Sequence, residues 1–224
     1  MPATQFAAIL FDMDGTVIDS EPVWLGQEQI LMSEFGHQWS DENQQFCLGG
    51  PLSKVGRYMS ELAGGAEQPE FFEHALISRV TEELKLGVGI VPGALEILRE
   101  VAVQKIPTAL VSASPRSLMS AAMAGFYSIA PDLQGIFDLS ISMDDVEETK
   151  PHPEGYLSAA AQLGVEISEC LVIEDSLTGI TAGLASGAYV LAVPHLFEVL
   201  PQPRMSIIPS LIGQTLESID SLYR

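Results

Sequence analysis

Short apolar runs, set apart by longer segments of helical periodicity, dominate the pattern of this chain. Five of them read as buried strands: Phe6–Phe11, Ile106–Val111, Ile136–Ser142, Cys170–Ile173 and Ala188–Val193. Each is a short apolar run, the pattern of a strand covered on both faces. Helical patterns separate most of them, and that alternation predicts an α/β fold with a parallel sheet and helices on both faces. Residues 18–89 break the alternation. Ser20 can cap a helix with Pro22 in its first turn, and Gly36 can end it. Further helical patterns begin at Asp41, at Leu52 and at Pro69, the last running to Leu86. The pattern divides the chain into a core of residues 1–17 and 90–224 and a helical insertion of residues 18–89. The insertion leaves just after the first strand and returns near Gly87-Val88-Gly89, where it can close over the carboxyl ends of the strands.

Composition narrows the partners. With 224 residues, 47% hydrophobic and 18% charged, the chain is a globular protein able to bury a real core. A formal net charge of −20 argues against nucleic acid or an anionic membrane as a partner. An anionic substrate would then need a divalent cation and a few fixed basic residues to make its site attractive. Cys47 and Cys170 lie in apolar surroundings without metal-ligand spacing, as reduced core thiols do. No basic leader and no run of membrane-spanning length is apparent, so a cytoplasmic monomer is the expectation.

Four polar motifs each lie at or just after the carboxyl end of a predicted strand. The first is Asp12-Met13-Asp14-Gly15-Thr16. Side chains at i and i+2 leave a strand on one face, so both carboxylates can address one pocket, and Gly15 lets the backbone turn at once. One acid can attack while the other moves protons. A calcium loop is the rival reading, but its third acid is missing and Val23 stands where the bidentate glutamate belongs. The second motif is Ser112, followed by Ser114-Pro115-Arg116, in which Ser114 has the look of an N-cap. The third is Lys150, whose position Pro151 and Pro153 constrain; His152 between them is given no role. The fourth is Glu174-Asp175, adjacent acids that are costly unless solvated or bound to a cation, followed by Gly179, Gly183 and Gly187. Gly15, Thr16, Ser114 and Arg116 flank the acids and the lysine and are expected to line the substrate's position.

These four motifs, in this order, resemble those of the haloacid dehalogenase superfamily of Mg²⁺-dependent phosphotransferases. The helical insertion resembles the cap of the subgroup that contains β-phosphoglucomutase, phosphoglycolate phosphatase and sugar-phosphate phosphatases. The resemblance covers nearly the whole chain and implies a Rossmann-like core with an inserted α-helical cap. It implies Asp12 as the nucleophile that forms an aspartyl-phosphate, and Asp14 as acid to the leaving alcohol and then base to water. Ser112 and Lys150 would bind the transferring phosphoryl group. Mg²⁺ would be held by Asp12, the Asp14 carbonyl and Asp175, with Glu174 a ligand or a neighbour of one.

Within that resemblance three reactions compete. A dehalogenase attacks carbon and needs neither Asp14 nor Mg²⁺. β-Phosphoglucomutase carries a histidine in the first cap helix where this chain has Trp24. A phosphatase of a small phosphate ester is therefore the preferred reading. The run Asp19-Ser20-Glu21-Pro22-Val23-Trp24 is similar to that of bacterial hexitol and 2-deoxyglucose-6-phosphate phosphatases, which implies a sugar or sugar-alcohol phosphate. The loop Leu48-Gly49-Gly50-Pro51 and nearby Lys54 are the cap's candidates for the leaving group. A signalling receiver module also clusters acids, a hydroxyl residue and a lysine, but it is about half this length and has no helical insertion. A binding-only relative would have lost catalytic positions, and here every one is filled.

Overall fold

The computed structural model describes residues 4–47, 52–194 and 198–224. Strand β1 (Ala8–Phe11) is buried along its whole length and ends at the paired acids. The two-residue strand β2 (Ile18–Asp19) leads into helices α1 (Glu21–Glu34), α2 (Asp41–Cys47), α3 (Leu52–Leu62) and α4 (Pro69–Leu86). Strand β3 (Gly89–Ile90) returns antiparallel to β2, pairing Ile18 with Ile90 and Asp19 with Gly89. The α/β alternation then runs through α5 (Ala94–Gln104), β4 (Thr108–Val111), α6 (Arg116–Ile129), β5 (Leu139–Ile141), α7 (Glu154–Leu163), β6 (Cys170–Glu174), α8 (Leu177–Ser186) and β7 (Tyr189–Ala192). A last strand, β8 (Met205–Ile207), and helix α9 (Leu216–Ser221) complete the core.

The sheet is parallel and six-stranded, in the order β5-β4-β1-β6-β7-β8. From β1 the chain moves outward to β4 and β5, then returns to the other side of β1 for β6 and its successors. That reversal places the crevice of an open α/β sheet at the carboxyl ends of β1, β4 and β6. Alternation within the strands builds both hydrophobic layers. Ile9 and Phe11 face a cluster completed by Ile97, Leu118, Phe126 and Ile219, whereas Ala8 and Leu10 face Tyr156, Ala159 and Ile180.

The helices of the insertion have a core of their own, centred on Leu31, Met32, Val55, Met59, Phe72 and Leu76. The second half of α4 behaves differently: Val80 and Leu84 belong to the cluster beneath the sheet. A Cβ on Gly125 of α6 would lie 2.4 Å from the Leu84 carbonyl, so only glycine allows the two helices to approach this closely. Trp24 touches both the insertion's core and the cluster beneath the sheet.

The five strands expected from the sequence are present; Cys170–Ile173 extends by one residue to Glu174, the other four are shorter, Ile136–Ser142 contracting to Leu139–Ile141, and β8 was not anticipated. Both are edge strands with half-buried residues, where apolar runs and strand limits part company. None of the described helices is long and apolar enough to cross a membrane.

Candidate active site

The backbone bond from the Asp12 amide to the Ile173 carbonyl carries the β1–β6 ladder one residue past the strand. The chain then reverses: the Gly15 amide donates to the Ile18 carbonyl and the Val17 amide to the Met13 carbonyl, at 2.7 and 2.9 Å. Gly15 sits at φ +82°, and a Cβ there would lie 2.1 Å from Oδ2 of Asp175. Glycine is therefore required for that carboxylate to approach this closely. Thr16 is buried, with its Oγ1 unpartnered.

Lys150 lies among the acids. Its ammonium donates to Oδ1 of Asp12 at 2.6 Å, to Oε1 of Glu174 at 2.7 Å and to the Val111 carbonyl at 2.8 Å. Burial opposes its charge, but Asp12 and Glu174 outweigh that and hold it well above the ordinary lysine value. Burial pushes Asp12 and Asp175 upward, and the neighbouring carboxylates add to both shifts. Oxygens of Asp12, Glu174 and Asp175 gather within 4.8 Å of one another. Three carboxylates against one ammonium leave a formal charge of −2 in a buried space. Oδ2 of Asp12 and Oδ1 of Asp175 are both buried and without a hydrogen-bond partner. Hard anionic oxygens in that state fit a divalent cation.

Asp14 is held differently. Ser20 donates to its Oδ1 at 2.6 Å and Ser114 to its Oδ2 at 3.1 Å. Burial raises its pKa, while these two hydroxyls pull it back. The sequence suggested both serines as helix caps. Neither caps: Ser20 makes no side-chain bond to α1, and α6 begins one residue later, with Pro115 in the cap position. Ser112 directly follows β4, buried; its Oγ accepts from the Ser114 amide at 3.0 Å, and Lys150 donates to the carbonyl of the adjacent Val111.

Arg116 was expected among the substrate contacts, and in the structure it has partners within the core. Its guanidinium is committed to the Ser140 hydroxyl, the Ser140 carbonyl and Asp145, so it ties α6 to the turn after β5. Lys54 is also engaged, donating to the Phe46 carbonyl and lying 4.2 Å from the Phe46 ring centre. Gly49 and Gly50 lie outside the described residues. His152 sits at the surface between Glu148 and Glu154.

Sequence reasoning missed Tyr156. It is fully buried on α7, donates from its hydroxyl to Oε1 of Glu174 at 2.8 Å, and lies 5.0 Å beneath the Lys150 ammonium. Only the habit of buried tyrosines to seek a polar partner could have flagged it. Ser176 is a second omission: its amide and hydroxyl donate to Oε2 of Glu174 at 3.1 and 3.0 Å, and its hydroxyl caps α8. Gly183 lets α8 pack close on the sheet: a Cβ there would lie 3.0 Å from Val190 and 3.1 Å from Val172, tighter than ordinary contact. Gly179 does something else, since a Cβ there would overlap the Glu174 carboxylate.

Residues 9–193 match the family model described as haloacid dehalogenase-like hydrolase. Hexitol phosphatase B of Escherichia coli is 32% identical over 193 residues, covering 85% of this chain and 84% of that protein. Among solved structures, a hydrolase of the same superfamily from Entamoeba histolytica superposes with a TM-score of 0.81 at 22% identity, covering 96% of this chain and 98% of the other. β-Phosphoglucomutase from Clostridium difficile gives 0.75 at 20% identity, covering 97% of each chain. At these identities the two structures speak for the fold alone. The chain thus belongs to the haloacid dehalogenase-like hydrolase family, and within it to the phosphatases.

Proposed function

We propose that this enzyme is a Mg²⁺-dependent phosphatase of a phosphorylated sugar or sugar alcohol, working through an aspartyl-phosphate on Asp12. The observation that carries the reading is the Lys150–Asp12 contact at 2.6 Å beside two buried, unpartnered carboxylate oxygens on Asp12 and Asp175. Asp12 and Asp175, with the Asp14 carbonyl, would hold the ion. Bound Mg²⁺ would neutralise charge on the transferring phosphoryl group.

The chain's own residues supply the rest. A carboxylate oxygen of Asp12 bonds to phosphorus as the bond to the leaving oxygen breaks, and Asp14 gives its proton to that oxygen. Asp14 then takes a proton from water, whose oxygen bonds to phosphorus while the Asp12–phosphorus bond breaks and phosphate leaves. The ammonium of Lys150 orients Asp12 and stabilises negative charge that grows on the phosphoryl oxygens. Ser20 and Ser114 fix Asp14 in the geometry both proton transfers need. The similarity to hexitol phosphatase B supports the substrate class.

Phosphate release from a panel of hexose and hexitol phosphates, with Mg²⁺ and then with EDTA, tests the reading. Selective release that EDTA abolishes is the expected result. Conversion of a hexose 1-phosphate to its 6-phosphate without release would make the enzyme a mutase, despite Trp24.

A further inference from the structure

The three clustered carboxylates are not equivalent. An ionised carboxylate offers about four acceptor positions. On Glu174 four donors fill them: Lys150 Nζ and the Tyr156 hydroxyl on Oε1, the Ser176 amide and hydroxyl on Oε2. Asp12 and Asp175 each keep a buried oxygen with no donor at all. For Glu174 to turn toward a cation it would have to abandon at least one of its donors. Two of these donors and the acceptor itself are buried away from water: the Lys150 side chain is 6% exposed, Tyr156 0% and the Glu174 side chain 0%. Gly179 presses on the same carboxylate from α8, leaving it little freedom to swing.

We infer that Tyr156 withholds Glu174 from the metal ion, so that Glu174 acts as the fixed counter-anion of Lys150 and the cation is left to Asp12 and Asp175. The inference rests on the Mg²⁺-dependent reading above and refines it. Tyr156 is a positioning residue here, since it reaches the reacting groups only through Glu174 and Lys150. A phenylalanine would fill the same space beneath Lys150 but would leave one acceptor position of Oε1 open to a divalent cation.

Calorimetric titration of Mg²⁺ into the full chain, free of phosphate, tests this without reference to turnover. Tyr156→Phe should bind Mg²⁺ more tightly than the wild type, by roughly three- to tenfold, the equivalent of one hydrogen bond's net contribution. In a Glu174→Gln background the same substitution should give no gain, because the added ligand oxygen would no longer carry charge. Unchanged or weaker binding by Tyr156→Phe, or an equal gain in both backgrounds, overturns the inference. Failure of the wild type itself to bind Mg²⁺ would instead defeat the metal-dependent reading on which it stands.

Discussion

The ammonium of Lys150 lies 2.6 Å from Oδ1 of Asp12, a contact spanning 138 residues of sequence. Nothing else basic among the described residues touches that carboxylate, so Lys150 both orients the nucleophile and offsets the charge around it. Lys150→Met should lower kcat on p-nitrophenyl phosphate by roughly 10²–10³, the usual cost of removing one preorganised charge from a transition state. Circular dichroism would establish that the variant is folded. A folded variant retaining more than about a tenth of wild-type kcat would contradict the role given to Lys150.

Ser20 and Ser114 grip opposite oxygens of Asp14, one from the start of the insertion and one from the core. Hydroxyl donors favour the ionised carboxylate, so their removal should raise the apparent pKa of Asp14. The acidic limb of the pH–kcat profile, where Asp14 must be ionised to activate water, should move to higher pH in Ser20→Ala and in Ser114→Ala. The double variant should move it further. A limb that stays in place, or shifts downward, would show that the serines do not set the state of Asp14.

Much of this was legible in the sequence because the sheet makes it so. Short buried runs such as Ala8–Phe11 and Cys170–Glu174 run into acids, and a parallel sheet brings all such ends to one edge. Side-chain direction was not legible. Ser20 before Glu21-Pro22 and Ser114 before Pro115 have the local chemistry of caps, yet the half-buried Asp14 carboxylate competes more strongly for their hydroxyls than a helix end does. Arg116 follows the same rule, drawn to Asp145 and Ser140, partners set by tertiary structure. Tyr156 stands on the apolar face of α7 among Ala159 and Ala160, where nothing in its neighbours announces a polar task. Strand β8 is three half-exposed residues at the sheet edge, too little pattern to read.

Gly15 should prove intolerant of any side chain. At φ +82°, with a Cβ position 2.1 Å from Asp175 Oδ2, alanine would both strain the turn and displace a carboxylate assigned to the cation. Gly15→Ala should weaken Mg²⁺ binding by roughly 10- to 100-fold, the range seen when the support of a metal ligand is lost. Calorimetry would measure it, and wild-type affinity in the variant would separate Gly15 from the metal site.

Glu28 is a buried acid with no catalytic assignment. It lies on α1 at 4% exposure with Oε2 unpartnered, and burial pushes its pKa from 4.5 up to about 7. A carboxyl whose folded value lies above its unfolded value loses stability as pH rises. The penalty is absent below about pH 4.5, grows through about pH 7, and reaches about 3 kcal/mol above that. Glu28→Gln removes it. Thermal melts should show a Tm gain of several degrees near about pH 8.5 and little change near about pH 5. A variant less stable than wild type at the higher pH would mean that the Glu28 charge is compensated in the fold.

The most direct test of the covalent route is to catch the intermediate. Asp14→Asn keeps the nucleophile but removes the base that activates water, so the phosphorylated enzyme should accumulate when the variant turns over an activated ester such as p-nitrophenyl phosphate with Mg²⁺. Intact-protein mass spectrometry followed by peptide mapping should find one added phosphoryl group, on the peptide that carries Asp12. A phosphoryl group on any other residue, or none while the variant still releases p-nitrophenol, would contradict the aspartyl-phosphate mechanism.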